Sequence, residues 1–159
     1  ESQGDLCNTS KSIVIPVGGG KGAHYCLQYL TFQGIKDCDV TLLSIMDDEK
    51  NYKKTSSRRR AEQRQEDQKA SAARCLQYCK KNGLRCTSTS IISHIPSSGK
   101  STSEKVAQEI CDYATKNNIG TIMTGSRKIS GLKRWVVGSI GQLLHRDCTK
   151  CHYIQVRHP

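Results

Sequence analysis

Gly125-Ser126-Arg127-Lys128-Ile129-Ser130-Gly131-Leu132-Lys133-Arg134-Trp135-Val136-Val137-Gly138-Ser139 is a basic loop bounded by glycines. The apolar run before it, Ile119-Gly120-Thr121-Ile122-Met123-Thr124, reads as a buried strand, and Ile140 to His145 after it reads as a helix. Strand, glycine-bearing loop and helix in that order describe an anion site. The glycines admit a ligand close to the backbone, and the first-turn N–H groups of the helix point at negative charge. Arg127, Lys128, Lys133 and Arg134 add cationic donors. The plainer reading is a surface loop whose glycines only turn the chain, and the loop alone leaves both readings standing.

Outward from this loop the chain alternates strand and helix. Ser12-Ile13-Val14-Ile15-Pro16-Val17 is a first strand, closed by a second glycine loop, Gly18-Gly19-Gly20-Lys21-Gly22. Ala23, Cys26, Leu27 and Leu30 then fall on one helical face, and Gly34 ends that helix. Val40 to Met46 is the second strand. The polar segment from Asp47 to Lys69 reads as a solvated loop passing into an exposed helix, amphipathic from Ala72 through Cys75, Leu76 and Cys79 and capped by Gly83. A third strand lies within Leu84 to Ile95. The next helix presents Val106, Ile110, Tyr113 and Ala114 on one face, with Ser101-Thr102-Ser103-Glu104 as its capping box. Ile119–Thr124 is the fourth strand and Tyr153-Ile154-Gln155-Val156 the fifth.

Five such alternations predict a parallel sheet with helices on both faces, because parallel neighbours need helical crossovers. Ligands of these sheets lie beyond the carboxyl ends of the strands, where connections diverge. Both glycine loops follow such ends. With strands one and four as neighbours, the loops would face each other across the crevice.

Over nearly its whole length the sequence resembles the universal stress protein family, whose last third carries G-x-x-G, nine residues, then G-[ST]. Gly125, Arg127 and the terminal Gly138-Ser139 match at the right spacing, and Gly131-Leu132-Lys133-Arg134 and Asp147-Cys148 are also family-like. The resemblance implies a three-layer α/β/α sandwich, adenine nucleotide alpha hydrolase-like, with a five-stranded parallel sheet in the order 3-2-1-4-5. It also implies ATP, with Mg, held by the ends of strands one and two and by this loop. Carried over residue by residue, the site is Pro16, Val17, Gly18, Ile45, Gly125, Arg127, Lys128, Gly138 and Ser139. At two of these the chain departs from the family: Gly18 replaces the Asp that usually ends strand one, and Lys128 replaces the second loop glycine. The phosphate half of the site is thus better kept than the ribose half, which implies weak binding tolerant of base identity.

Composition bounds the rest. The 159 residues form one domain, expected as a tail over 1–10 and a folded domain over 11–159. A formal charge of +11 favours polyanionic or phosphorylated partners, and no apolar run is long enough to span a membrane. The nine cysteines are odd in number and scattered among regular elements, which reads as mostly unpaired thiols in a reducing, cytoplasmic setting. The apolar edge Tyr153–Val156 is expected to be paired, and with the family resemblance it predicts a homodimer through the last strand.

Other motifs weigh less. Ser98-Gly99-Lys100-Ser101-Thr102 imitates the end of a P-loop, but the full motif needs glycine where His94 stands. Cys148-Thr149-Lys150-Cys151-His152 has the spacing of a haem attachment, and with His145 offers a metal reading. It lacks the second ligand pair of structural zinc, so neither haem nor zinc is expected. Asp47, Asp48 and His24 are the groups nearest the expected crevice, yet no Ser/His/Asp order stands out, so the chain is read as a binding module with slow ATP hydrolysis at most. The competing class is a basic interaction module that binds nucleic acid or an acidic partner through Lys53–Arg64, and the third is a thiol or metal protein using Cys148 and Cys151.

Overall fold

The computed structural model describes residues 11–46, 54–93, 102–128, 135–136 and 139–157. The main sheet is built from β1 (Ser12–Pro16), β2 (Asp39–Met46), β3 (Arg85–Ile92), β4 (Thr121–Gly125) and β7 (His152–Val156). The strands are all parallel, in the order β3-β2-β1-β4-β7. With β7 as the fifth long strand, this is the 3-2-1-4-5 order expected above. Ile13 stands opposite Val40 on one side and Thr121 on the other, so β1 is central.

Because side chains alternate across a strand, β1 feeds two cores. Ile13 and Ile15 face α1 (Gly22–Phe32) and α2 (Thr55–Asn82), among Ala23, Cys26, Leu27, Leu30, Cys75 and Cys79. Val14 faces α3 (Thr102–Lys116) and α4 (Ser139–Asp147), among Ile110, Ala114 and Leu144. The four positions that define the apolar face of α1 in the sequence are the four that it buries. Full burial of each large aliphatic side chain stabilises by roughly 1.5–3 kcal/mol, enough for this lean core to fix both layers.

The glycine stops act as expected. Gly34 follows α1 with φ +72°, and Gly83 follows α2 with φ +72° and ψ 24°, its N–H donating to the Cys79 carbonyl. Both lie in the left-handed region that a Cβ disfavours. The N-terminal half of α2 carries few apolar residues. It is helical from Thr55, and Arg58, Arg59, Arg60 and Arg64 on it are exposed.

Two expectations need correction. The thiols are not mostly unpaired: Cys79 bonds Cys86, Cys111 bonds Cys148, and Cys38 is disulfide-bonded as well, leaving Cys26, Cys75 and Cys151 free among the described residues. Membership of regular elements does not keep cysteines apart when the elements are neighbours. The turn at Gly83 returns β3 alongside α2 and brings the Cys79 and Cys86 Cα atoms to 6.2 Å, and packing of α4 on α3 brings Cys111 and Cys148 to 5.7 Å. Both separations suit a disulfide. The second correction concerns the basic loop, which is not wholly irregular. Arg127–Lys128 (β5) pairs antiparallel with Trp135–Val136 (β6), a pairing favoured by the Trp-Val-Val run. Residues 1–10, Asp47, Asp48, Lys53 and Ser98–Ser101, which carry the tail, carboxylate, basic-segment and P-loop-like readings, lie outside the described residues.

Candidate functional site

The two glycine loops meet backbone to backbone. A Cβ at Gly125 would lie 2.5 Å from the carbonyl oxygen and 2.7 Å from the Cα of Gly22. This contact joins the exit of β4 to the start of α1, at the point where connections from β1 and β4 leave for opposite sides of the sheet. Gly125 is therefore required by packing, whatever else it does. Ser126 is anchored: its N–H and hydroxyl both donate to the Val156 carbonyl, at 2.7 and 3.1 Å, and it is buried.

The remaining site residues are distributed as follows. Pro16 stands opposite Leu43, and Val17 extends the ladder by donating its N–H to Leu43 O at 2.8 Å. Gly18 is exposed, and a Cβ there would meet nothing within 4 Å. Ile45, opposite Ile91, is half-buried near the end of β2. The backbones of Arg127 and Lys128 are paired with Val136 and Trp135. Gly138 lies outside the described residues. Ser139 opens α4, and its hydroxyl lies 2.9 Å from that of Ser103 in the first turn of α3. Two helix N-termini thus meet on the side of the sheet where parallel strands end.

Gln68 was not singled out in the sequence. Its side-chain amide reaches from α2 to the carbonyls of both Val17 and Ile45, at 3.3 Å each. Those two carbonyls lie at the carboxyl ends of β1 and β2, the strand ends that the resemblance assigns to the nucleotide. Beside it, the Ser71 hydroxyl donates to Gly20 O at 3.3 Å, and a Cβ on Gly19 would lie 3.3 Å from the Cβ of Asp67. So α2 covers the first glycine loop through residues 67, 68 and 71. The signal available in sequence was weak: a glutamine four residues before the buried Ala72, on the same helical face.

His24 is drawn towards α2 as well. Its ring meets Tyr78 edge-on at 4.8 Å between centroids, and burial, then Arg74, then Lys21 hold its pKa below the ordinary value. The C-x-x-C motif is divided: Cys148 is bonded to Cys111, while the Cys151 thiol donates to Ile119 O at 3.3 Å. Among the described residues no group of three or more His, Cys, Asp or Glu side chains is arranged to hold a metal ion, and no helix is long and apolar enough to cross a membrane.

The profile of the Universal stress protein family matches residues 9–150. Solved structures share the fold at low identity. A universal stress protein from Archaeoglobus fulgidus is 15% identical with a TM-score of 0.62, covering 91% of this chain and 92% of its own. Universal stress protein UspA from Lactobacillus plantarum is 19% identical with a TM-score of 0.60, covering 92% and 97%. A universal stress protein in complex with cAMP is 9% identical with a TM-score of 0.56, covering 94% and 98%. No curated protein sequence matches the chain.

Proposed function

The chain belongs to the universal stress protein family, and we propose that it is a nucleotide-binding regulatory module whose ligand, with Mg-ATP as first candidate, occupies the crevice at the carboxyl ends of β1, β2 and β4. The observation that carries this reading is the backbone contact of Gly22 with Gly125, which sets the two glycine loops side by side at the β1/β4 switch point. The neighbour in complex with cAMP supports it. In this reading Ser139 and the preceding Gly138 hold phosphate oxygens, and Arg127 and Lys128 lie on the loop that flanks them. Gln68 engages one lone pair on each of the Val17 and Ile45 carbonyls, so an adenine amino group finds weakened acceptors and base selectivity is low.

The test is thermal unfolding with Mg-ATP, ADP, AMP, GTP and inorganic phosphate on the native chain and on Gly138→Asp. A ligand that binds only the folded state adds about 2.7 kcal/mol at a hundredfold excess over its Kd. A shift with the native chain that is lost in the variant supports the crevice. No shift with any nucleotide at millimolar concentration defeats the reading.

We further propose a homodimer through β7, an end strand of the sheet whose only described ladder partner is β4. Sedimentation at micromolar concentration should give twice the chain mass. A monomer would refute this.

One observation favours a second reading. Arg58, Arg59, Arg60 and Arg64 are exposed on the N-terminal half of α2, which carries few apolar residues, a surface suited to nucleic acid or an acidic partner. Such binding would weaken steeply with salt and fall when Arg58, Arg59 and Arg60 are neutralised together. The cytoplasmic location expected from unpaired thiols loses that support, since two disulfides and a bonded Cys38 stand in the structure.

A further inference from the structure

A cavity of about 470 Å³ opens between the start of α1 and the middle of α2, on the flank of the sheet that carries the first core. Lys21 enters it from the glycine loop, His24, Tyr25 and Gln28 from α1, and Ser71 and Arg74 from α2. Among the described residues no carboxylate lines it. Cations from two separate elements therefore line one concave space with neutral hydrogen-bonding groups between them. The geometry points to a binding site for a small phosphate monoester, separate from the nucleotide crevice. Two positive charges match a dianion, the Arg74 fork suits paired phosphate oxygens, and the Lys21 ammonium adds a point charge. Tyr25 and Gln28 offer contacts to the organic part.

His24 reports the charge of this cavity. Its pKa is lowered first by burial, then by Arg74 and then by Lys21, so both cations act on the same ring. Tyr78 braces the ring edge-on from α2. The buried Cys75 thiol, whose pKa is itself raised by burial, lies at the cavity wall and stays neutral at pH 7. A bound dianion would offset Arg74 and Lys21 and move the His24 titration upwards, whereas a neutral ligand would not.

The site goes beyond the nucleotide reading and does not depend on it. The test follows the His24 ring by NMR while inorganic phosphate, glycerol phosphate or acetate is added at constant ionic strength. Saturable shifts with glycerol phosphate and phosphate, a raised His24 pKa in the bound state, and affinity at least about tenfold lower in Arg74→Gln are expected. Arg74 is exposed, so that variant should keep the native spectrum elsewhere. Ser139→Ala should leave this binding unchanged. Shifts that grow linearly without saturation, saturation indifferent to Arg74→Gln, or binding lost in Ser139→Ala instead would each overturn the proposal. Equal affinity for acetate would overturn the phosphate assignment.

Discussion

Gly125 has no room for a side chain because Gly22 fills the space: a Cβ there would lie 2.5 Å from the Gly22 carbonyl oxygen. The conflict sets a Cβ against the Gly22 backbone, so no rotamer can relieve it. Gly125→Ala should destabilise the fold by about 1–3 kcal/mol, the usual cost of overpacking, and lower Tm by about 2–4 °C per kcal/mol. Gly22→Ala should cost far less, since its Cβ would make only ordinary contacts from 3.7 Å. Equal melting temperatures for the two variants would contradict the packing role.

Gly18 presents the opposite case, with nothing within 4 Å of a Cβ. Gly18→Asp would return the carboxylate that the family usually carries at the end of strand one. The fold should tolerate it, and affinity for adenosine nucleotides should rise about tenfold, as for a hydrogen bond to a charged group. Isothermal titration measures this directly, and unchanged affinity would mean that the ligand's ribose lies elsewhere.

Gln68→Ala should release the carbonyls of Val17 and Ile45 at a cost of about 1 kcal/mol in stability. The ratio of ATP to GTP affinity should then rise several-fold, because the freed acceptors can receive the adenine amino group. A ratio equal to that of the native chain would remove Gln68 from the site.

Most of the scaffold was legible because its causes are local. Ile13, Val14 and Ile15 announce a doubly buried strand, and Gly34 and Gly83 mark helix ends by a backbone geometry that favours glycine. The neighbourhood of the two glycine loops followed from topology. What escaped notice depends on separations that no short window contains. Cys111 and Cys148 are 37 residues apart and become partners only after α4 docks on α3. Gln68 reads as one more polar residue until α2 is laid across the ends of β1 and β2.

Stability should also follow the protonation of His24. Its folded pKa is below its unfolded value near 6.5, so between these two values the unfolded chain binds more protons. Stability attributable to His24 is therefore complete above pH 6.5 and declines as pH falls towards the folded pKa. His24→Gln should flatten that part of a urea-denaturation series across pH 5–7. A slope of the same size in the variant would assign it to other groups.

The disulfides give a further check. Without reductant, alkylation of the denatured chain should label Cys26, Cys75 and Cys151 and leave Cys79, Cys86, Cys111 and Cys148 unmodified. Loop-closure entropy gives about 2.5 kcal/mol for the Cys79–Cys86 link and about 4 for Cys111–Cys148, so Cys111→Ser should lower the denaturation midpoint more than Cys86→Ser. Labelling of all cysteines before reduction would contradict the pairing.

The Cys111–Cys148 bond encloses β4, the basic loop and α4 within a covalent ring. A protease that cuts once anywhere between residues 112 and 147 would therefore leave the two pieces tied together. The nicked molecule would migrate as an intact chain on a gel until a reductant separated them. Cleavage of the basic loop could then alter the crevice without releasing the C-terminal segment that carries Ser139 and β7.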